Sequence, residues 1–141
     1  MFYEQRLDVP GTPDELRAEY EADLRAILES TDIETATDTL SVDRRTLETL
    51  LEGESPTLTL EEAAEIQSLG DGDPDPETIV ELACEHLLLG MTTAVVDVDT
   101  LAGDLDLDLD AKEVQQKIER RAPMTFDEFV HIQFAIADRA R

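Results

Sequence analysis

The sequence predicts an all-α protein with two tandem units, residues 1–70 and 71–141, each a long helix followed by three shorter helices. Three observations support this prediction. Apolar side chains recur at the 3.6-residue period of a helix, signals for a helix start occur four times, and the last helical segments of the two halves resemble each other. No strand-like run has a plausible pairing partner elsewhere in the chain, so a sheet is not expected.

A long helix is predicted near the start of each unit. Thr12 is placed to cap a helix whose first residue is Pro13, which suits that position because its missing N–H needs no partner there. Asp75 and Pro76 open the second long helix in the same way. After Pro13, apolar side chains follow at helical spacing and predict a helix over about 13–30: Leu16, Tyr20, Leu24, Ile27 and Leu28.

The closing helix of each unit is predicted to begin with a capping box, in which a Thr and a Glu three residues later satisfy each other's backbone N–H groups. The segments TLEEAAEIQSL (59–69) and TFDEFVHIQFA (125–135) indicate an internal duplication with a period of about 66 residues. A Gly, Pro and Asp cluster at 70–75 is predicted to connect the units. The identical positions are Thr59/Thr125, Glu62/Glu128, Ile66/Ile132 and Gln67/Gln133.

The segment DLDLDLD (104–110) lies between the two short helices of the second unit. Its alternation is the period of a strand, and its spaced aspartates also resemble the start of a calcium loop. Asp is rare in strands, and an EF-hand loop needs Gly and Glu where Leu109 and Gln115 stand. A turn is therefore favoured. We expect Leu107 and Leu109 to fill the core from this turn and Asp110 to cap the next helix.

The chain is strongly acidic, with 35 Asp and Glu against 11 Lys and Arg and a formal net charge of −24. Only Lys112 and Lys117 are lysines. This composition resembles that of cytosolic proteins from extreme halophiles, where a Debye length of about 3 Å at 1 M salt screens self-repulsion. An acidic protein of an ordinary organism is the alternative. Because no secretory signal and no membrane-length apolar run is present, we expect a cytoplasmic protein without membrane contact.

Enzyme chemistry is not indicated. His86 and His131 lie in apolar helical runs and are expected to be core or interface residues, and Cys84, the only cysteine, is expected to be a buried thiol. The sequence contains no phosphate loop, no metal-spaced Cys/His cluster and no Ser/His arrangement. Carboxylate pairs are too numerous for one to stand out. We therefore expect no catalytic residues, no metal, no cofactor and no small-molecule substrate.

The segment TLSVDRRTL (39–47), followed by Gly53, resembles a phage-repressor-type (Cro-like) helix-turn-helix, with Ser41 in place of the usual turn glycine. The resemblance covers about 33–69 and, more loosely, 98–137, where the turn carries about two extra residues. It implies two tandem helix-turn-helix-like units whose second short helices are offered to the major groove of DNA. The whole chain, through HLLLGMTTAVVDVDTLA and ERRAPMT, also resembles a haloarchaeal protein family of unknown function.

Basic residues on the second short helices are the candidate DNA contacts. In the first unit, Arg45 shares its face with Glu48 and Glu52, and these acidic residues would repel phosphate. In the second unit, Lys112, Gln116 and Arg120 are spaced by four and are expected to form an outward polar stripe. Gln can read adenine, while Lys or Arg can read guanine or hold phosphate. The alternative is that the cations pair with acidic neighbours, as Glu113 and Lys117 would at i, i+4. The candidate DNA-binding residues are Lys112, Gln116, Arg120, Arg121 and Arg45.

The expected function is that of a non-enzymatic DNA-binding or transcription-associated protein of a halophile, with DNA contacted chiefly by the second unit. The alternative is a protein–protein interaction module whose helix-turn-helix folds no longer read DNA and whose partner is another protein or a second copy. A positive surface at 112–121, uninterrupted by the aspartates of 104–110, would favour the first function. An exposed apolar patch around Phe129 and Phe134 would favour the second.

We predict that the melting temperature rises with salt. A fold with a net charge of −24 repels itself in dilute buffer, and added KCl screens that repulsion. Thermal melts between about 0.1 and 3 M KCl measure the effect. A melting temperature that does not change with KCl would contradict the halophile interpretation.

Overall fold

The structure is a computed structural model that describes residues 1–140. These residues form eight helices and no β-strand, so the predicted all-α fold class is confirmed. In each half a long helix of 17 or 19 residues is followed by three shorter ones. The helices are α1 Pro13–Glu29, α2 Ile33–Thr39, α3 Arg44–Leu51, α4 Leu60–Gln67, α5 Pro76–Ala94, α6 Val98–Asp104, α7 Ala111–Ile118 and α8 Phe126–Arg139.

Predicted capping side chains open five of the eight helices in residues 1–140. Thr12 and Asp75 cap the long helices α1 and α5, each of which has Pro in its first turn. Capping boxes at Thr59, Asp110 and Thr125 open α4, α7 and α8. Each box satisfies two N–H groups that a helix start leaves unpaired, and a cap of this kind is worth about 1 kcal/mol.

Asp104 ends α6, and residues 105–110 form the predicted turn that carries the chain into α7. Leu109 is half-buried against the core. It directly precedes the capping residue Asp110, a position from which an apolar side chain packs onto the following helix. Leu107 is also half-buried but lies outside the core cluster. The prediction that Leu107 fills the core is therefore wrong, because this residue lies further out in the turn.

The two halves are joined through their long and closing helices. The long helix α1 contacts both closing helices, α4 and α8, and the long helix α5 contacts the same two. At the helix starts, an isolated antiparallel bridge pairs Thr59 with Thr125. The N–H of Leu60 donates to the carbonyl of Met124 at 3.0 Å, and the N–H of Phe126 donates to the carbonyl of Leu58 at 2.8 Å. The two bonds are therefore equivalent when the two repeats are exchanged, which is the reciprocal pattern of a two-fold arrangement.

A single hydrophobic core runs through both sequence units, 1–70 and 71–141. Its aromatic centre is Phe2, which precedes the first helix and is 1% exposed. The ring of Phe2 meets those of Tyr20, Phe126 and Phe129 edge-to-face, with centroids 6.3, 5.2 and 5.8 Å apart. Such pairs add about 0.5–1.5 kcal/mol each beyond the area they bury. The N-terminal segment is thus part of the core that both closing helices share.

The buried amide of Gln133 holds this N-terminal segment in place. Gln133 on α8 accepts a short hydrogen bond from the Tyr20 hydroxyl and donates to the carbonyl of Phe2 at 3.1 Å. The equivalent amide on α4, Gln67, donates to Asp73 at 3.0 Å. Because an unpaired buried amide costs about 1–3 kcal/mol, the bonds of Gln133 favour one fixed position of the segment.

We predict that Phe2→Ala lowers the free energy of unfolding by about 3–5 kcal/mol, because it removes the ring at the centre of the aromatic cluster and leaves a cavity. Urea denaturation at constant high KCl measures the change. The matched control is Leu7→Ala in the same segment, since Leu7 is 66% exposed and should change stability little. Equal effects of the two substitutions would show that Phe2 is not a core residue.

Candidate functional site

The second short helix of the first unit, α3, presents mixed charge to solvent. Leu47 and Leu50 face the core. Arg44 forms an exposed ion pair with Glu48 at 2.9 Å. Arg45 is exposed, and its guanidinium forms no hydrogen bond or ion pair within residues 1–140.

The equivalent helix of the second unit, α7, ends before the last residue of the polar stripe predicted from Lys112 to Arg120. Lys112 lies exposed in its first turn and Gln116 is half-buried further along. The helix ends at Ile118, and Arg120 follows in the left-handed conformation with φ +64°. The prediction that Arg120 continues the stripe of Lys112 and Gln116 is therefore wrong, because the chain turns before it reaches Arg120.

The end of α7 is a Schellman motif, in which two backbone N–H groups reach back to the last turn. The N–H of Arg121 donates to the carbonyl of Gln116 at 2.8 Å, and the N–H of Arg120 donates to that of Lys117 at 3.1 Å. Helix α3 ends with the same pair of bonds, and there the left-handed residue is Gly53, with φ +88°. A residue with a Cβ pays about 1–2 kcal/mol in this conformation, so Gly is the usual choice. The second unit places an Arg there instead.

Ion pairs account for the other basic residues at the end of α7. Arg121 pairs with Glu119, and Lys117 bonds to Glu128 at 3.0 Å rather than to the predicted Glu113. The alternative that cations pair with acidic neighbours thus holds for Arg121 and Lys117. Within residues 1–140, the Lys and Arg side chains that form neither an ion pair nor a hydrogen bond are Arg45, Lys112 and Arg120.

The surfaces that were to distinguish the two functions differ from expectation. The basic side chains at 112–121 are interspersed with the exposed acids Glu113 and Glu119, so the surface there is mixed in sign. Phe129 is fully buried and Phe134 is half-buried against the core, so they do not form the exposed apolar patch that would favour the second function.

Exposed apolar side chains lie instead around the end of α5. Leu88 and Leu89 are each about half exposed, and Val95 is 91% exposed. Val95 caps α5 with φ +54°, a conformation in which a β-branched residue is an outlier. The chain bends by 98° between α5 and α6. No single helix within 1–140 is long and apolar enough to cross a membrane, and only the bent pair of α5 and α6 meets that length and composition together.

A cavity of about 260 Å³ lies where the end of α7 meets α4 and α5. Burial raises the pKa of the Cys84 thiol at its wall to about 11, while the positive charge of Arg120 acts in the opposite direction. Cys84 is therefore a protonated, buried thiol at neutral pH, as predicted. The lining residues are Leu60, Glu61, Val80, Cys84, Lys117, Arg120, Arg121, Ala122, Pro123 and Met124.

The two histidines are half-buried and bonded to backbone carbonyls. The Nδ1 of His86 lies 2.7 Å from the carbonyl oxygen of Tyr3, and that of His131 lies 2.8 Å from the carbonyl oxygen of Asp127. Within the described part of the chain, no group of three or more His, Cys, Asp or Glu side chains is arranged to hold a metal ion.

The fold and the paired helix ends define an all-α protein in which one order of helices occurs twice. Over residues 16–139 the chain matches a family of unknown function, DUF5791, and it belongs to that family. The predicted resemblance to a family of unknown function is confirmed at that level. No curated protein and no solved structure is significantly similar to the chain.

Proposed function

We propose that the protein is a non-enzymatic, transcription-associated DNA-binding protein of a halophile, which contacts DNA through α3 and α7. One observation carries the proposal. Arg45 and Lys112, both without an ionic partner within residues 1–140, occupy the same position, the second residue of the second short helix, in the two units. In a chain with 35 acidic residues, two equivalent unpaired cations favour an external anion as their partner.

The position of these cations suits DNA recognition. In a helix-turn-helix the N-terminal residues of the second helix contact base edges in the major groove. Arg45 and Lys112 lie in that first turn, while the inner faces of α3 and α7 pack on α2 and α6. The reciprocal bridge between Thr59 and Thr125 relates the two units, so α3 and α7 would face two half-sites of a pseudo-symmetric DNA sequence.

The net charge of −24 determines the conditions for binding. In dilute buffer the acidic surface repels phosphate over a distance of about 10 Å, whereas near 1 M salt that range falls to about 3 Å. High salt also weakens the gain from counterion release. Binding at molar KCl would therefore depend on close hydrogen bonds to bases and phosphates more than on the overall field.

We predict that Lys112→Ala weakens DNA binding about tenfold at fixed molar KCl, and that Arg45→Ala weakens it less because acidic residues share its face. Gln116→Ala should relax base preference with little change in the salt slope. Fluorescence anisotropy with genomic fragments measures all three. The control is Arg44→Ala, which removes a neighbouring cation that is already paired with Glu48.

Two outcomes would count against the proposal. Wild-type protein that binds no DNA fragment between low and molar KCl would exclude it. Equal losses for Arg44→Ala and Lys112→Ala would show that only total charge matters and that the two equivalent positions have no special part.

A second candidate function is protein interaction through self-association, and the surface around the end of α5 favours it. Val95 is 91% exposed in a backbone conformation that Gly would adopt without strain. Together with Leu88, Met91 and Val96 it lines an apolar surface on a chain whose other exposed side chains are mostly charged or polar. Exposed apolar patches of this kind mark contact surfaces.

For this second candidate we predict that the wild-type protein is a dimer in molar KCl, where charge repulsion between two copies is screened. Val95→Asp should make it monomeric, because it places a charge within the apolar contact. Light scattering after size exclusion measures the mass. The control is Leu7→Asp, at an exposed leucine of the N-terminal segment, and a monomeric wild-type protein would exclude self-association.

A further inference from the structure

We propose that the cavity between α4, α5 and the end of α7 binds a small carboxylate with a short apolar chain. The inference is independent of DNA binding. It rests on a comparison of this cavity with the equivalent place in the other half of the molecule.

In that other half the equivalent place is filled by an internal ion pair. Since α1 and α5 both begin with Pro, Arg17 on α1 corresponds to Val80 on α5, and the next turn brings Glu21 into correspondence with Cys84. The guanidinium of Arg17 donates to Glu21 at 3.1 Å and to Asp127 at 2.8 Å. It also donates to the carbonyl of Pro56 at 2.7 Å, so its hydrogen-bonding capacity is used within the fold.

The second half keeps the surrounding frame but not the pair. Glu61, which the first half contributes, stands in the place of Asp127. Counted from the equivalent helix ends at Gly53 and Arg120, Pro123 stands in the place of Pro56. Val80 and Cys84 replace the Arg and the buried Glu, and the space they leave is the cavity of about 260 Å³. The second half therefore has no carboxylate in the place of Glu21. The buried side chains there, Val80 and Cys84, are apolar.

A cation without a partner lies at the opening of the cavity. Arg120 is exposed, lines the cavity and forms no ion pair or hydrogen bond with its side chain in the described chain. The two neighbouring cations, Lys117 and Arg121, are already bonded to Glu128 and Glu119. A bound carboxylate would give Arg120 the partner that Arg17 finds in Glu21, and charge-assisted bonds of this kind are the strong ones.

The backbone conformation of Arg120 supports the same conclusion. Its equivalent in the first unit is Gly53, which adopts the left-handed conformation without strain. Strained backbone positions cluster at binding and active sites, where the strain is part of the function. An Arg at this position is accounted for if its guanidinium binds a ligand.

The size and charge of the cavity define the ligand. Its volume lies just below the range of about 300–1,000 Å³ typical of pockets for drug-sized molecules, so a ligand of a few heavy atoms fits. Val80, Cys84 and Met124 would contact the apolar chain. Glu61 lines the same cavity and would repel the carboxylate, so its neutralisation should strengthen binding.

The test is an NMR titration of the full chain with sodium butyrate at constant molar KCl, in the absence of DNA. We expect saturable shifts of the amide signals of Cys84, Arg120 and Ala122, and no such shifts with butanol. Arg120→Gly should weaken butyrate binding about tenfold or more and raise the melting temperature, because Gly relieves the left-handed strain. Glu61→Gln should tighten binding. Arg44→Gln is the control for loss of one positive charge elsewhere.

A second variant tests the cavity without changing Arg120. Val80→Arg combined with Cys84→Glu transfers the internal ion pair of the first half, and it should abolish butyrate binding while the helical content is kept. The proposal is overturned if butanol binds as well as butyrate, if Arg120→Gly binds butyrate as the wild type does, or if Arg120→Gly melts at a lower temperature. If the double variant does not fold, the Arg120→Gly result alone decides.

Discussion

The packing of the long helices is the constraint on which the rest of this structure depends. α1 and α5 each need two covering helices, and each takes one closing helix from its own half and one from the other. Phe2 and the amide of Gln133 complete the same core from the N-terminal side. The two repeats in the sequence therefore share one core, and the short helices α2, α3, α6 and α7 each add buried side chains to it.

The two halves differ at two equivalent places where one of them carries charged side chains and the other does not. Arg17 bonds to Glu21 of its own half and to Asp127 of the other, whereas Val80 and Cys84 stand in the places of Arg17 and Glu21 in the second half. The helix end that carries Gly53 in the first unit carries Arg in the second. When a fold contains two equivalent positions, one can hold a structural ion pair while the other is available to bind a ligand.

Helix order, helix starts and fold class could be predicted because they depend on local chemistry, namely caps such as Thr59 and apolar spacing. The end of α7 could not, since Lys, Glu and Arg favour a helix and the next proline, Pro123, comes only five residues after Ile118. Alignment of Gly53 with Arg120 was the signal that could have found it. Phe2 was missed because one apolar residue outside a periodic segment reveals its burial only when its neighbours are known. The cavity likewise depends on contacts between distant segments.

The bridge at Thr59 and Thr125 also shows what is gained when both repeats lie in one chain. Its two bonds are equivalent: Leu60 bonds to Met124 in the same way that Phe126 bonds to Leu58. Two separate copies of a single repeat could form the same two bonds across a symmetric dimer interface. Here both repeats lie in one chain, with 70–75 as the segment between them, and the two bonds form within one molecule. Each repeat can therefore carry its own residues at equivalent places, which a dimer of identical chains cannot do.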